Sequence, residues 1–223
     1  MKLSLRLQTI HDMVPHGIAA DVGSDHGKLI ISLFENGVIS KGYAIENKKG
    51  PFSTLEKAIK VAKCENDIIP MLSDGISDLP SDVDTIIIAG MGGMNIIKIL
   101  KAHPQKLKNV KTIIVDAHNA TKEVRAEISK MNFVIAEEKM VFEDEIYYEI
   151  IKFNAGTTAF LDEPDLEFGP MLRQEKSCTF KSKYETRIKE IDNLLSNNSL
   201  PVGRQIELGK EKERIKSVLW KQE

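Results

Sequence analysis

The sequence predicts an α/β chain: a mostly parallel seven-stranded sheet with a terminal antiparallel hairpin, followed by a small coiled-coil-like α-helical domain. Three observations carry this. Apolar runs that end in turns rich in Gly and Asp alternate five times with stretches of helical spacing, the pattern of strands joined by crossover helices. Two long strand-like segments, 133–142 and 145–153, then follow with only Glu143 and Asp144 between them, too close for a crossover, so they must pair antiparallel. Beyond a polar linker, apolar residues return at spacings near three and four amid dense charge.

Taken in order, Leu3, Leu5, Leu7, Ile10 and Met13 suggest a short helix with Arg6 exposed, stopped by Pro15 and Gly17. Ile18 to Val22 is the first strand, Lys28 to Asn36 its helix, and Gly37 the helix end. Gly42 to Asn47 is a second strand ending in an acid, Glu46, and Gly50-Pro51 opens a helix from Phe52 to Lys63. Ile68 to Leu72 runs into Ser73-Asp74-Gly75. The β-branched run Thr85 to Ala89 shows no alternation, which marks a strand covered on both faces, and it leads into Gly90-Met91-Gly92-Gly93 and a helix from Met94 to Lys101. Lys111 to Val115 is a fifth strand that ends at Asp116-Ala117-His118-Asn119, after which Thr121 is expected to cap a helix through Met131. Asn154 to Asp165 reads as the linker, giving domains 1–155 and 156–223. In the second, Met171, Leu172, Phe180, Tyr184, Ile188, Ile191 and Leu195, then Ile206, Ile215, Val218 and Leu219, predict two long helices in an antiparallel hairpin.

Composition narrows the class. With 223 residues, 42% hydrophobic and 29% charged, the chain can bury a core and is neither fibrous nor disordered. Its apolar runs fall short of the ~20 residues a membrane helix needs, and the N-terminus lacks a signal-like apolar stretch, so a cytoplasmic protein without membrane contact is expected. Cys64 and Cys178 lie far apart, which argues against a disulfide framework or a zinc site; no metal is expected, and both should be ordinary buried or half-buried thiols. The net charge is -2, yet residues 173–221 hold twelve Lys or Arg against seven Asp or Glu, enough to steer a polyanion or simply to solvate a helical face.

In sheets of this kind ligands bind beyond the carboxyl ends of the strands, where the unusual residues of this chain collect. An acid about twenty residues past a Gly-containing first turn, here Glu46, can bind ribose hydroxyls of a dinucleotide or of S-adenosylmethionine. Gly23-Ser24-Asp25-His26-Gly27 lacks the full dinucleotide pattern, and Asp21 and Asp25 would repel a pyrophosphate while favouring a sulfonium and an ammonium. Asp74 could accept from an adenine amino group, with Gly75 letting the ring lie close. Blander roles stay open: Asp21 and Asp25 as helix caps, His26 as a loop histidine, and 90–93 as a tight turn only.

At this point the chain resembles the bacterial tRNA (adenine-N1)-methyltransferases that modify adenine 22. The matching pieces are Leu3-Ser4-Leu5-Arg6-Leu7, Ala20 to His26, Gly50-Pro51-Phe52, Ser73-Asp74-Gly75, Ile88 to Gly93, Tyr148-Glu149-Ile150-Ile151 and Phe168-Gly169-Pro170. Two departures accompany them: Lys28 and Ile30 stand where family members commonly carry an aromatic and a proline, and Ala117-His118-Asn119 where they carry Gln-Pro-Asn. The resemblance implies a Rossmann-like class I methyltransferase fold, S-adenosyl-L-methionine as cofactor, tRNA as partner, and a C-terminal helical domain that helps hold it. With it, the cofactor falls to Asp21, Gly23, Ser24, Asp25, His26, Glu46, Asn47, Asp74, Gly75, Ala89, Gly90, Met91 and Gly92. Arg6, Gly93 and His118 are expected to face the substrate, and Asp21 and Asn119 to act in catalysis. A monomer is expected. The competing readings are a methyltransferase of another RNA or a small molecule, a non-catalytic RNA-binding protein, and a nicotinamide-dependent oxidoreductase.

Overall fold

Along Thr85-Ile86-Ile87-Ile88 every side chain is buried, and consecutive residues go to opposite faces. Ile86 and Ile88 join one core cluster and Ile87 the other. That two-sided burial explains the unbroken β-branched run and places this strand, β4 (Thr85–Met91), mid-sheet. The computed structural model describes residues 2–157, 160–196 and 200–220. It divides into two compact units, Met1–Phe160 and Leu161–Glu223.

The first unit runs α1 (Leu5–Met13), β1 (Gly17–Val22), α2 (Lys28–Glu35), β2 (Ile39–Glu46), α3 (Lys49–Val61), β3 (Ile68–Leu72), β4, α4 (Gly93–Ala102), a 3₁₀ turn (Pro104–Leu107), β5 (Thr112–Ala117), α5 (Thr121–Ser129), β6 (Phe133–Glu143) and β7 (Ile146–Ala155). The sheet order is β3-β2-β1-β4-β5-β7-β6, with β1 to β5 parallel and the β6–β7 hairpin antiparallel at one edge. The order reverses between β1 and β4, so both strands deliver their carboxyl ends to the crevice where α/β sheets bind ligands. One core cluster packs Ile96, Ile97 and Leu100 of α4 and Val124 and Ile128 of α5 on the sheet; the other packs α1, α2 and α3 through Ile10, Met13, Ile30, Leu33, Leu55 and Ile59.

Several boundaries differ from expectation. The hairpin turn is Asp144-Glu145, not Glu143-Asp144, because both turn residues adopt positive φ (50° and 62°), as a two-residue turn matched to strand twist requires. Thr121 does not cap α5; the cap position is Ala120, left-handed at φ 53° and without a side-chain bond, and Thr121 is the first helical residue. The α3 helix starts at Lys49 rather than Phe52, because Pro51 in a first turn loses no hydrogen bond.

In the second unit α6 (Glu163–Phe168), α7 (Pro170–Glu175), α8 (Cys178–Leu195) and α9 (Val202–Trp220) follow one another. The tail of the expected linker is the start of α6, where Asp162 and Asp165 form a reciprocal capping box. The first expected long helix is broken in two: Lys176 is left-handed and Ser177 caps α8, its Oγ accepting from Phe180 N at 3.2 Å. The α8–α9 pair is antiparallel, with Arg187 bonded to Glu211 and Lys212 to Asp192. Ile206 leaves the apolar stripe and is exposed, whereas Leu208 is buried. Cys64 is buried, whereas Cys178, at the start of α8, is exposed. Among the described residues no helix is long and apolar enough to cross a membrane.

Candidate active site

The carboxyl ends of β1, β2, β3 and β4 enclose two cavities that share one residue, Gly23. The first, about 320 Å³, is lined by Val22, Gly23, Ile45, Glu46, Asn47, Ser73, Asp74, Gly75 and Met91, and by Asn95, Lys98, Ile99, Ala102 and His103 from α4 and its end. The second, about 270 Å³, is lined by Arg6, Leu7, Asp21, Gly23, Ser24, Asp25, His26, Lys28, Leu29, Ala89, Gly90 and His118.

Gly23 follows β1 at φ +78°, a conformation that disfavours a side chain, and a Cβ there would collide with Met91 Cε. Its N–H and that of Ser24 both donate to Ile45 O, at 2.9 and 3.2 Å, so the turn is tied to the end of β2. Glu46 is buried and takes the Asp25 N–H at 2.7 Å on one carboxylate oxygen while lining the first cavity. Asp25 is left-handed at φ 34°, which short polar side chains tolerate best, and it and His26 are exposed, with His26 Nε2 3.5 Å from Asp25 Oδ1. Neither acid caps α2, whose cap position is Gly27 without a side-chain bond.

Asp21 is 4% exposed and its Oδ2 accepts from Ser24 Oγ at 2.6 Å. Burial pushes its pKa up to about 6; the Ser24 hydroxyl opposes that shift and the Glu46 charge adds to it. A carboxylate held so reluctantly in its charged form favours a cationic partner. On β4, Gly90 (φ +76°) forms a bulge against β5, and a side chain there would approach Arg6 Nη1 and His118 Nε2.

Asn119 and Gly93 line neither cavity; Asn119 Oδ1 accepts the Gly93 N–H at 3.1 Å, joining the β5 loop to the start of α4. A Cβ on Gly93 would press on the Asn119 carbonyl and on Val124. Gly92 lines neither cavity and borders the same Asn119 side chain. The α4 residues of the first cavity were missed, because helical spacing separates core from surface but does not say which partly exposed side chains border a pocket. Lys28 in the second cavity is the family departure noted in the sequence. Behind Arg6 stand three residues not assigned a role: Asp116, Tyr148 and Glu143.

Among the described residues of the second unit six basic side chains are in ion pairs: Arg173 with Asp162 and Asp165, Arg187 with Glu190 and Glu211, Arg204 with Glu207, Lys212 with Asp192, Arg214 with Glu167, and Lys216 with Glu213. Lys181, Lys189 and Lys210 are exposed and outside these pairs.

Comparison with known proteins gives consistent matches over nearly the whole chain. A family model described as tRNA (adenine(22)-N(1))-methyltransferase matches residues 19–222. A tRNA (adenine(22)-N(1))-methyltransferase of Bacillus subtilis (strain 168) is 30% identical over 201 residues, 87% of this chain and 84% of that protein. Among solved structures, Streptococcus pneumoniae Sp1610 in complex with S-adenosyl-L-methionine superposes with a TM-score of 0.90 at 31% identity, covering 98% of this chain and 100% of that one. M. capricolum TrmK in complex with S-adenosyl-homocysteine superposes with a TM-score of 0.88 at 25% identity, covering 98% of each chain.

Proposed function

This chain belongs to the tRNA (adenine(22)-N(1))-methyltransferase family, and we propose that its two neighbouring cavities divide one methyl transfer between them. The first takes the adenosine half of S-adenosyl-L-methionine, and the second receives adenine 22 of tRNA. The observation that supports this division is Gly23, the residue common to both cavities, with the buried acid Asp21 beside it. The residues suit that cofactor. Glu46 and Asp74 offer acceptors for ribose hydroxyls and an adenine amino group, Gly23 and Gly75 take the positive φ that lets Met91 and Ile99 pack against the two turns, and Asp21 and Asp25 suit cations where a pyrophosphate would be repelled.

When bound, the cofactor supplies an electrophilic methyl group on a sulfonium. Adenine N1 carries an in-plane lone pair, so no residue need deprotonate it before attack, and the protein's task is alignment. Because N1 lies on the Watson–Crick edge, the base must be exposed to enter the second cavity, where Arg6 and His118 flank Gly90. Asp21, once ionised, favours positive charge on the cofactor and on the methylated ring, which stays cationic until its amino group loses a proton. Asn119 contributes by bracing the start of α4 through Gly93.

Cofactor affinity should therefore rise with pH through about 6, as Asp21 loses its proton, and level off above; calorimetric titration between pH 5 and 8 reads this directly. Incubation with unmodified tRNA and labelled cofactor, followed by mass-spectrometric mapping, should place the label on N1 of adenine 22. Label elsewhere, or tight NAD binding without cofactor binding, would overturn the reading. In this reading the second unit contacts tRNA phosphates through Lys181, Lys189 and Lys210, so deleting residues 166–223 should weaken tRNA binding more than cofactor binding. Unchanged RNA affinity in the truncated chain would refute that role. The protein is expected to act as a cytoplasmic monomer, which light scattering tests for the oligomeric state.

A further inference from the structure

Arg6 is held at three places by three different elements. Its backbone N–H donates to Glu143 Oε2 at 3.3 Å, and the neighbouring Leu5 N–H to Glu143 Oε1 at 2.6 Å, which ties the start of α1 to the end of β6. Its Nη1 donates to Asp116 Oδ2 at 2.5 Å. Its guanidinium lies over the Tyr148 ring, 5.1 Å from the centroid. The hairpin makes this possible: β7 begins at Ile146 but pairs with β5 only from Ile150, so Tyr148 overhangs the carboxyl edge of the sheet beside His118, their rings 6.3 Å apart.

Stability does not call for this arrangement. Leu7, Ile10 and Met13 already pack α1 on the core, and a buried ion pair is commonly no better than two apolar side chains of similar volume. Asp116 occupies a fully buried position near the end of β5, with one oxygen on Arg6 and the other, Oδ1, without a well-formed hydrogen bond, only weak support coming from the Gly90 backbone. Burial pushes its pKa up and Arg6, ahead of His118 and the Gly90 backbone, pulls it back, so that guanidinium is the main support of the carboxylate. Arg6 in turn remains partly exposed and lines the second cavity, among the acids Asp21 and Asp25. An exposed arginine explores many rotamers; this one is fixed before any ligand arrives.

We infer that Asp116 and Tyr148 are positioning residues that aim Arg6 at a phosphate flanking the nucleotide delivered to the second cavity. The inference rests on the reading of that cavity as the acceptor site. A nucleotide entering between Asp21 and Asp25 brings its own negative charge, and a pre-aimed guanidinium offsets that repulsion without further ordering cost.

The test measures tRNA affinity, its salt dependence, kcat and KM for tRNA, and cofactor affinity in the full chain. Asp116→Asn and Arg6→Ala should each raise KM for tRNA by about 10-fold or more, the loss expected for one charged hydrogen bond, and leave cofactor affinity unchanged. Each should lower the log–log salt slope of tRNA binding by about one, a change that a merely structural defect would not produce. The double variant should bind tRNA no worse than Arg6→Ala alone, because Asp116 acts through Arg6. Tyr148→Phe should retain the wild-type KM and Tyr148→Leu should not, which keeps the test open if Asp116→Asn fails to fold. Wild-type salt slope and KM in folded Asp116→Asn, or wild-type KM in Tyr148→Leu, would overturn the inference. Failure of the wild-type protein to methylate adenine 22 would instead sink the reading of the acceptor site.

Discussion

Two arginines in the first unit meet carboxylates out of water, and they differ in how completely they are enclosed. Arg125, on α5, is fully buried, with Nε 2.8 Å from Glu138 Oε1 and Nη2 2.6 Å from Glu149 Oε2. Burial works against its charge, but Glu149 and Glu138 outweigh that and hold it protonated. The network joins α5 to both strands of the hairpin and touches neither cavity. Arg6 has one carboxylate and one ring, and it is partly open to the second cavity. The sealed network serves the fold; the open one leaves donors for something that is not protein. Around Asp21 the same logic goes further, since there a buried acid has no cation paired with it among the described residues and takes its side-chain hydrogen bond from a serine hydroxyl.

The largest expected effect separates the two constellations. Arg125→Leu leaves two buried carboxylates without their cation and should cost about 3–5 kcal/mol of stability in urea denaturation. The fraction that stays folded should still bind cofactor normally, and a loss below about 1 kcal/mol would erase the distinction. Next comes Asp21→Asn. The wild-type carboxyl binds its proton more tightly in the folded chain (about 6) than at its ordinary value of 3.8, so folding is favoured below 3.8 and that contribution is lost as pH rises through about 6. The asparagine variant should therefore be more stable at pH 7.5 by up to about 3 kcal/mol, with no such gain near pH 4, while its cofactor affinity falls. A smaller effect is expected of Gly90→Ala. Positive φ costs a Cβ about 1 kcal/mol, and the methyl faces Arg6 and His118, so the variant should lose tRNA turnover beyond its small drop in Tm. Smallest of all, replacing Arg6 and Asp116 together by leucine should change stability by less than about 1 kcal/mol, in contrast to Arg125. A large destabilisation would show that the open pair also serves the fold.

Much of this was legible along the chain. The run at 85–89 and the hairpin at 133–153 carry their own evidence, because covered strands have no polar face and a two-residue connection permits one pairing direction. The residues at five strand ends could be gathered on one edge of the sheet from topology alone. Less visible was the turn chemistry: Ala120 and Lys176 adopt left-handed conformations that their residue types do not announce, so the pattern puts a cap at Thr121 and runs one helix through the break at Lys176. The α4 lining of the first cavity was hidden for the same reason that Lys181, Lys189 and Lys210 could not be told from their paired neighbours. Spacing assigns a face, and only packing says what stands across from it.

By itself, then, the sequence determined the parallel sheet, its edge hairpin, the helical appendage and the acids that favour a sulfonium over a pyrophosphate, since these follow from periodicity and local charge. The tertiary structure decided that two cavities meet at Gly23, that Asn119 braces Gly93 instead of lining a cavity, and that Arg6 meets an acid 110 positions away. Those are long-range juxtapositions, set by how strands order in the sheet and how far a hairpin overhangs its edge, and no local pattern encodes them.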